Sequence, residues 1–237
     1  MKQLETVAHD YPLHDLPRII RNAAQDAAVP SEHLIIAVLR RFAEILVAAF
    51  ALVLASPLML VVAIVIRRDS PGPAIFRQIR VGRNGRLFTF YKFRTHFKNA
   101  REMYSELWRY DYTPEELEEL LVKRPEDPRV TRAGRWLRKS TLDELPNFWN
   151  LLKGDIALVG PRPDVPEMLR NYSLDQMIKF SVKPGITGLA QVCGRGRLKF
   201  QEMNRYDVEY VRNRSVLLDC KITLRTIKLV IIQDATF

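Results

Sequence analysis

Cysteine is scarce in this chain, and its scarcity excludes two classes of small protein. Among 237 residues there are only two cysteines, Cys193 and Cys220. They are too few for a disulfide framework, and they lack the Cys-x-x-Cys spacing of a metal site. We therefore expect two structural thiols in a reducing environment. The length and the 47% hydrophobic content allow one sizeable core with at most a small appendage.

Acidic residues are also in the minority. The chain has 37 lysines and arginines against 27 acids, which gives a formal net charge of +10. Such an excess indicates anionic partners, which are nucleic acid, acidic lipid or a phosphorylated substrate. Charge alone does not choose among the three.

Charged residues are absent altogether from residues 45–66, where Ser56 is the only polar residue. This run meets the roughly 20-residue criterion for a membrane helix, and it begins too late to be the apolar part of a signal peptide. Pro57 lacks an N–H group and crowds the carbonyl group of Val53, so we expect a kink or break there, with Ser56 bonding an unpaired carbonyl. Sequence physics favours a kinked spanning helix. Arginine pairs at both flanks fit the alternative, a re-entrant hairpin with both ends on one side.

Local patterns predict the other elements. Residues 1–30 form a short polar extension with an amphipathic stretch. Alternating apolar residues around Arg83-Asn84-Gly85 predict a β-hairpin whose strands carry Phe76 and Tyr91. The stretch "TPEELEELL" predicts a surface helix that opens at Thr113 and Pro114. The remainder is predicted as mixed helix with Gly-Pro turns.

Two adjacent acids, Asp143 and Glu144, lie in "RKSTLDELPNFWNLLKGD". Thr141 and Glu144 have capping-box spacing at the start of an apolar helix that ends near Lys153-Gly154, so a structural role is the commoner interpretation. A helix N-terminus with Arg138 upstream also suits phosphate. There one carboxylate can attack phosphorus while a second holds Mg²⁺. The two interpretations are compatible.

Basic residues in two turns are candidate phosphate ligands. Arg162 lies between two prolines, which lowers the entropy lost when its guanidinium binds phosphate. Arg195 and Arg197 alternate in the glycine-rich "VKPGITGLAQVCGRGR", which can wrap a diphosphate or form a flexible basic surface loop.

Three further residues have both a structural and a functional interpretation. Lys92 and Arg94 alternate in "YKFRT", either as one polar strand face or as a pair facing substrate. Asp207 in "NRYDVEYV" is more typical of a helix-surface salt bridge than of a metal ligand.

Taken in order, these blocks resemble the bacterial sugar transferase family, the monotopic polyprenyl-phosphate phosphoglycosyl transferases that start lipid-linked glycan assembly. The resemblance runs from about residue 40 to residue 232. It rests on "SPGPAIFRQIRVGRNGRLFTFYKFRT", "DPRVTRAGRWLRKSTLDELPN", "LLKGDIALVGPRP" and "KPGITGLAQVCGRGR". Glu44, His96 and Asn147 depart from it, since the family usually has Asp, Met and Gln there.

The resemblance implies an α+β, mainly helical fold. Residues 1–31 would be an N-terminal extension, and residues 32–69 a re-entrant helix-break-helix hairpin broken at Ser56 and Pro57. Residues 70–237 would form a cytoplasmic phosphoglycosyl transferase domain with a short β-hairpin and amphipathic interfacial helices. The implied location is the bacterial inner membrane, with the catalytic domain on the cytoplasmic face.

The resemblance also implies the chemistry. Asp143 would be the nucleophile towards a UDP-sugar, and Glu144, with Asp143, would hold Mg²⁺. Undecaprenyl phosphate would accept the phosphosugar, and UMP would be released. The implied phosphate ligands are Lys92, Arg94, Arg138, Arg162, Arg195 and Arg197, with Asp207 as a candidate supporting residue.

Two rival functions use the same composition. A membrane-tethered nucleic-acid-binding protein would use the basic charge and the aromatic residues, and a membrane-surface scaffold would have no activity. The resemblance makes nucleic acid an unexpected partner, membrane lipids expected ones, and a homodimer compatible. The sequence leaves the sugar open between a hexose and an N-acetylhexosamine.

Overall fold

Helices predominate in the computed structural model, which describes residues 12–30, 32–121, 126–194 and 197–231. They are α1 (Leu16–Asp26), α2 (Leu34–Asp69), α3 (Ala100–Met103), α4 (Pro114–Glu119), α5 (Arg132–Ser140), α6 (Asn147–Lys153), α7 (Leu189–Gly194), α8 (Phe200–Arg212) and α9 (Val216–Ile231). The strands are β1 (Ile75–Val81), β2 (Leu87–Phe93), β3 (Ala157–Val159) and β4 (Gly185–Thr187). The mainly helical class is confirmed.

Strands β1 and β2 form the predicted antiparallel hairpin. Its register runs from Ile75 opposite Phe93 to Val81 opposite Leu87. The turn works because Asn84 and Gly85 adopt positive φ angles of 54° and 78°, which asparagine and glycine tolerate best. Phe76 lies in β1 and Tyr91 in β2, as predicted.

A second, parallel sheet joins β3 to β4, with Ala157 opposite Gly185 and Val159 opposite Thr187. No sequence pattern predicted it, because three-residue strands are too short to show alternation. The backbones meet closely beyond β3: a Cβ atom on Gly185 would lie 2.1 Å from the nitrogen of Gly160. Both glycines are therefore required by a contact between distant segments.

Helix α2 is continuous for 36 residues, with Pro57 inside it. The structure shows one helix through Ser56 and Pro57, so the expected kink or break there stays a prediction. Pro57 removes one backbone hydrogen bond, and the Ser56 hydroxyl donates instead to the carbonyl oxygen of Val53 at 2.8 Å. The predicted role of Ser56 is thus confirmed, and it explains how the helix continues.

One face of α2 packs against the rest of the chain. Its buried residues are Glu44, Ala48, Val62 and Ile66, and their spacing places them on one side of a helix. The outer side is apolar and exposed, and only 11% of the most apolar 18-residue window is buried. The helix is long and apolar enough to cross a membrane, and its exposure is unlike that of a soluble core helix.

Both ends of α2 are held by neighbouring elements of the same body. Near its start, Arg41 donates to the carbonyl oxygens of Leu151 and Leu152 at 2.7 and 2.6 Å. At its end, the Asp69 carboxylate accepts the N–H of Ala133 at 3.0 Å. Helices α6 and α5, which supply these partners, are joined directly through the short turn that carries the adjacent acids.

Helix α1 contributes to the core. Its Leu16 and Ile20 are fully buried, against Met177 and Phe180 of the 3₁₀ turn Gln176–Ser181. The amphipathic stretch of the extension thus forms a helix whose apolar side packs into the rest of the chain.

Two smaller expectations have different outcomes. Thr113 caps α4 as predicted, since its side chain accepts the N–H of Glu116 and the Glu116 carboxylate accepts the N–H of Thr113. The cysteines differ from expectation: Cys193 and Cys220 are free and exposed, so neither is a buried structural thiol.

Candidate active site

The two adjacent acids lie on a 3₁₀ turn, Leu142–Glu144, between α5 and α6. The turn is set by Thr141, which ends α5 in the left-handed region at φ 61°. Thr141 makes no side-chain capping bond, so the predicted capping box with Glu144 is wrong. The reason is that Thr141 closes the preceding helix and does not open the next one.

The following helix, α6, runs from Asn147 to Lys153. Its predicted end is confirmed, because Gly154 adopts φ 82° and closes it. Glu144 is not part of a capping box. Its Oε1 atom lies 3.3 Å from Arg162 Nη1, and its Oε2 atom lies 3.5 Å from Asn147 Nδ2. Asn147 is one of the departures from the family pattern.

Arg162 is directed towards the acids by the turn that follows β3. The close approach of Gly160 to the 183–185 segment fixes the start of this turn. Arg162 Nη1 then lies 3.3 Å from Glu144 Oε1. Glu144, and after it Asp143, raises the pKa of the Arg162 guanidinium. Arg162 and the acids therefore belong to one cluster, and the predicted role of Arg162 in binding phosphate stays a prediction.

Lys92 of β2 belongs to the same cluster. Burial lowers the pKa of its ammonium from 10.5 to about 8. Asp143 and Glu144 oppose this shift, while the nearby guanidinium groups of Arg80 and Arg162 favour it. Lys92 therefore lies among the charges of this cluster, and it can be protonated or neutral near physiological pH.

Arg80 is a member of this region that the sequence reasoning missed. It donates to the carbonyl oxygen of Pro163 at 3.1 Å and lies 3.7 Å from Asp164. Burial lowers the pKa of its guanidinium, and Asp164 opposes that effect. In the sequence no pattern distinguishes Arg80 from the exposed Arg77 of the same strand.

Arg138 lies at the end of α5 and faces Asp127, with Nη1 3.5 Å from Oδ2. Burial would raise the pKa of Asp127, but hydrogen bonds from Arg129 hold it well below its usual value. His96 lies 3.7 Å from the same carboxylate, and burial lowers its pKa to about 3, so it is neutral. Lys92 contributes to that lowering, which places this group beside the cluster.

Another predicted phosphate ligand, Arg94, has partners outside this cluster. Arg94 is buried, and it donates to the carbonyl oxygens of Pro71 and Ser70, both at 2.7 Å. It therefore anchors the chain that leaves α2 and is not brought to the acids. Arg197 is exposed after α7, and Arg195 lies outside the described residues.

Asp207 does not lie in a surface salt bridge, so that interpretation is wrong. Helix α8 buries this face, and Asp207 Oδ2 lies 2.8 Å from the equally buried Lys179 Nζ. Burial raises the pKa of Asp207, and Lys179 opposes the shift. Asp207 also accepts a backbone hydrogen bond from Arg162, so it lies directly behind the candidate site.

The candidate site offers two carboxylates, Asp143 and Glu144, as possible metal ligands. Across the parts of the chain that the structure describes, no group of three or more His, Cys, Asp or Glu residues could hold a metal ion. Mg²⁺ is commonly bound by one or two carboxylates together with substrate phosphates. Asp143 and Glu144 fit an ion of that kind, shared with a diphosphate.

Residues 35–233 match the sequence model of the bacterial sugar transferase family. The chain is 41% identical over 194 residues to the galactosyl transferase CpsE of Streptococcus agalactiae, which covers 81% of this chain and 42% of the relative. It is 41% identical over 199 residues to undecaprenyl-phosphate galactose phosphotransferase of Salmonella typhimurium, with shares of 84% and 42%.

A third relative is UDP-glucose:undecaprenyl-phosphate glucose-1-phosphate transferase of Klebsiella pneumoniae, which is 37% identical over 198 residues. That alignment covers 80% of this chain and 39% of the relative. The chain thus spans about two fifths of the length of these three relatives.

Proposed function

The chain belongs to the bacterial sugar transferase family, and on that premise we propose that it transfers a phosphosugar from a UDP-sugar to undecaprenyl phosphate. The products would be UMP and undecaprenyl-diphosphate-sugar, in the first membrane step of bacterial polysaccharide or glycoconjugate synthesis. The names of the Salmonella and Klebsiella relatives contain this acceptor. The observation that carries the proposal is the cluster in which Arg162 pairs with Glu144 and the charges of Lys92 and Arg162 interact with those of Asp143 and Glu144.

In the first step, a carboxylate oxygen of Asp143 attacks the β-phosphorus of the UDP-sugar. The bond from that phosphorus to the bridging oxygen breaks, and UMP leaves with the electron pair, so the phosphosugar is joined to the carboxylate. An anionic nucleophile approaches an anionic diphosphate in this step. Lys92 and Arg162 are placed to offset that charge.

In the second step, a phosphate oxygen of undecaprenyl phosphate attacks the same phosphorus, and Asp143 leaves as a free carboxylate. The new phosphoanhydride replaces the one broken in UDP-sugar, so no ATP is required. Storing the phosphosugar on Asp143 lets a water-soluble donor and a membrane-bound acceptor use one site in turn.

The acids also suit Mg²⁺. Bound by Glu144 and Asp143 together with the diphosphate, the ion would neutralise part of the phosphate charge. Glu144 is paired with Arg162 at 3.3 Å in the free protein. That pairing holds the two side chains together, next in the chain to Asp143, before substrate arrives.

We further propose that α2 is re-entrant, with both ends on the cytoplasmic side of the inner membrane. A spanning helix would separate Arg41 from Asp69 by an apolar run of roughly 33 Å. In support of the hairpin, both residues contact the adjacent helices α6 and α5. Pro57 is where a bend of the continuous helix is expected.

Helix α9 supports a position at the membrane surface. Leu217, Leu224 and Ile227 are exposed on it, and Lys221 and Lys228 are spaced to flank them on the helix surface. An exposed apolar stripe beside lysines is typical of a helix lying at a lipid headgroup layer. This fits the amphipathic interfacial helices that the family resemblance implies.

A panel of UDP-hexoses and UDP-N-acetylhexosamines, incubated with the full chain in membranes containing undecaprenyl phosphate, tests the function. At least one sugar should release UMP and form a lipid-linked product. Asp143→Asn is the matched control, because it keeps the side-chain size but removes the nucleophile. Absence of UMP with every sugar would contradict the proposal, and the active sugar would identify the donor.

A further inference from the structure

Lys179 carries a charge in the core with no direct part in the proposed chemistry. Its side chain is 1% exposed. Its Nζ lies 2.8 Å from Asp207 Oδ2, 3.1 Å from Asn204 Oδ1 and 3.3 Å from the Tyr172 hydroxyl. A buried ammonium is costly unless it is paired and hydrogen-bonded, so this arrangement depends on all three partners.

Two of these partners lead to the turn that carries Arg162. Asp207 accepts the backbone N–H of Arg162. On the other side, the Tyr172 hydroxyl donates to Asp164 Oδ2 at 2.6 Å. Residues 162–164 are thus connected at both ends to one buried ammonium.

Arg80 strengthens the same connection from β1. It donates to the carbonyl oxygen of Pro163 and lies 3.7 Å from Asp164. The N–H of Val81 also donates to the carbonyl oxygen of Asp164 at 2.9 Å. The backbone of the turn is therefore held by the hairpin in front and by the Lys179 network behind.

We propose that Lys179 is a positioning residue for the transferase reaction. Its buried charge balances Asp207 and orients Tyr172, and through them it holds residues 162–164 so that the Arg162 guanidinium faces Glu144 and the incoming diphosphate. The inference rests on the proposed function for its substrate, but its structural part stands on the hydrogen bonds alone.

Removing the Lys179 ammonium should affect the position of Arg162 through Asp207 and Tyr172. Burial already raises the pKa of Asp207, and Lys179 opposes that shift more than the Arg162 backbone does. Without the ammonium, the pKa of Asp207 should rise further, which favours the protonated carboxyl, a weaker acceptor for the Arg162 N–H. A small displacement of a substrate-positioning group can cost about 100-fold in rate, so a change behind the site becomes visible in the chemistry.

A double-mutant cycle measures this coupling. Lys179→Met should lower kcat/KM for the active UDP-sugar by roughly 10- to 100-fold, mostly by raising KM, and Lys179→Arg should restore most of the loss. In an Arg162→Ala background the Lys179→Met effect should shrink to less than about 3-fold, because coupled residues are not additive. An undiminished effect in that background would overturn the positioning role.

Hydrogen exchange at the Arg162 amide is the second readout, and it needs no activity. Lys179→Met should accelerate exchange at the amides of Arg162 and Asp164, whereas Arg214→Met, which breaks an ion pair with Glu32 elsewhere, should not. If Lys179→Met does not fold, Tyr172→Phe removes the hydroxyl bonds to Asp164 and Lys179 but keeps the Lys179–Asp207 pair, and it should give a smaller acceleration. Unchanged exchange in the folded variant refutes the proposal. Wild-type protein that is inactive with every sugar would refute the proposed function instead.

Discussion

Arg162 and Glu144 are partners in the free protein, with 3.3 Å between Nη1 and Oε1. The family resemblance implies that they bind different ligands, because Arg162 would bind phosphate and Glu144 would bind Mg²⁺. The pair brings the two proposed ligand groups into contact. Under the proposed function, a diphosphate bound by Arg162 would therefore lie beside Glu144 and its neighbour Asp143.

Covalent chemistry at Asp143 is the first prediction. Given UDP-sugar without lipid, the enzyme should release about one UMP per active site and gain the mass of a phosphosugar. Asp143→Asn should lose both while remaining folded and membrane-bound, because an amide is a poor nucleophile. Glu144→Gln should instead require more Mg²⁺ and turn over more slowly.

Stopped-flow UMP detection and intact-protein mass spectrometry make these measurements. Wild-type enzyme that turns over normally but shows no UMP until lipid is added, and no adduct, would rule out the two-step mechanism. Family membership would be unaffected.

The ionisation of Lys92 gives a pH prediction. With a pKa of about 8 in the folded protein, the ammonium that offsets phosphate charge is lost as pH rises through 8. The value of kcat/KM should therefore fall above that pH, since it reports ionisation of the free enzyme. Lys92→Arg keeps its charge, so whatever activity it retains should not fall there. A wild-type profile that stays flat up to pH 9.5 would contradict the assignment.

The lowered pKa of Lys92 also affects stability, and its contribution to stability changes with pH in the opposite direction to activity. Because the folded-state pKa of about 8 lies below the ordinary lysine value of 10.5, the unfolded chain binds more protons between these two pH values. The contribution of Lys92 to the free energy of unfolding should therefore increase with pH across that window. Thermal unfolding of wild-type protein and Lys92→Met at pH 7.5 and 10 measures the difference.

Arg94 is predicted to be structural. Arg94→Met removes both hydrogen bonds to the buried chain after α2 and should lower the free energy of unfolding by about 1–3 kcal/mol. KM for the UDP-sugar should stay unchanged, whereas Arg162→Ala should raise it roughly 10- to 150-fold, the equivalent of losing about 1.5–3 kcal/mol. Denaturation in detergent and steady-state kinetics separate the two. A raised KM without loss of stability in Arg94→Met would restore its phosphate role.

Topology is the last prediction. With Cys193 and Cys220 replaced by serine, a single cysteine introduced at the exposed Arg21 should be labelled from the same side of intact vesicles as native Cys220 kept alone. Replacing Ser56 and Pro57 by leucine should favour a straight spanning helix and reduce activity. Labelling of the two cysteines from opposite sides in the unaltered helix would refute the hairpin.

Several features could be predicted from the sequence because their causes are local. The Arg83-Asn84-Gly85 turn needs positive φ angles within its own residues, and Thr113 caps a helix three residues away. The apolar length of α2 and the adjacency of Asp143 and Glu144 are likewise properties of neighbouring positions. The family blocks added the order in which such features occur.

Other features were decided by tertiary structure. Nothing near Arg94 in the sequence indicates that its partners are Ser70 and Pro71, and nothing near Asp207 indicates the burial of Lys179. The β3–β4 pairing depends on the close approach of Gly160 and Gly185. Thr141 was predicted to cap the helix that follows it, but the fold places it at the end of α5. These outcomes depend on which distant surfaces pack together and exclude water, and no periodicity along the chain carries that information.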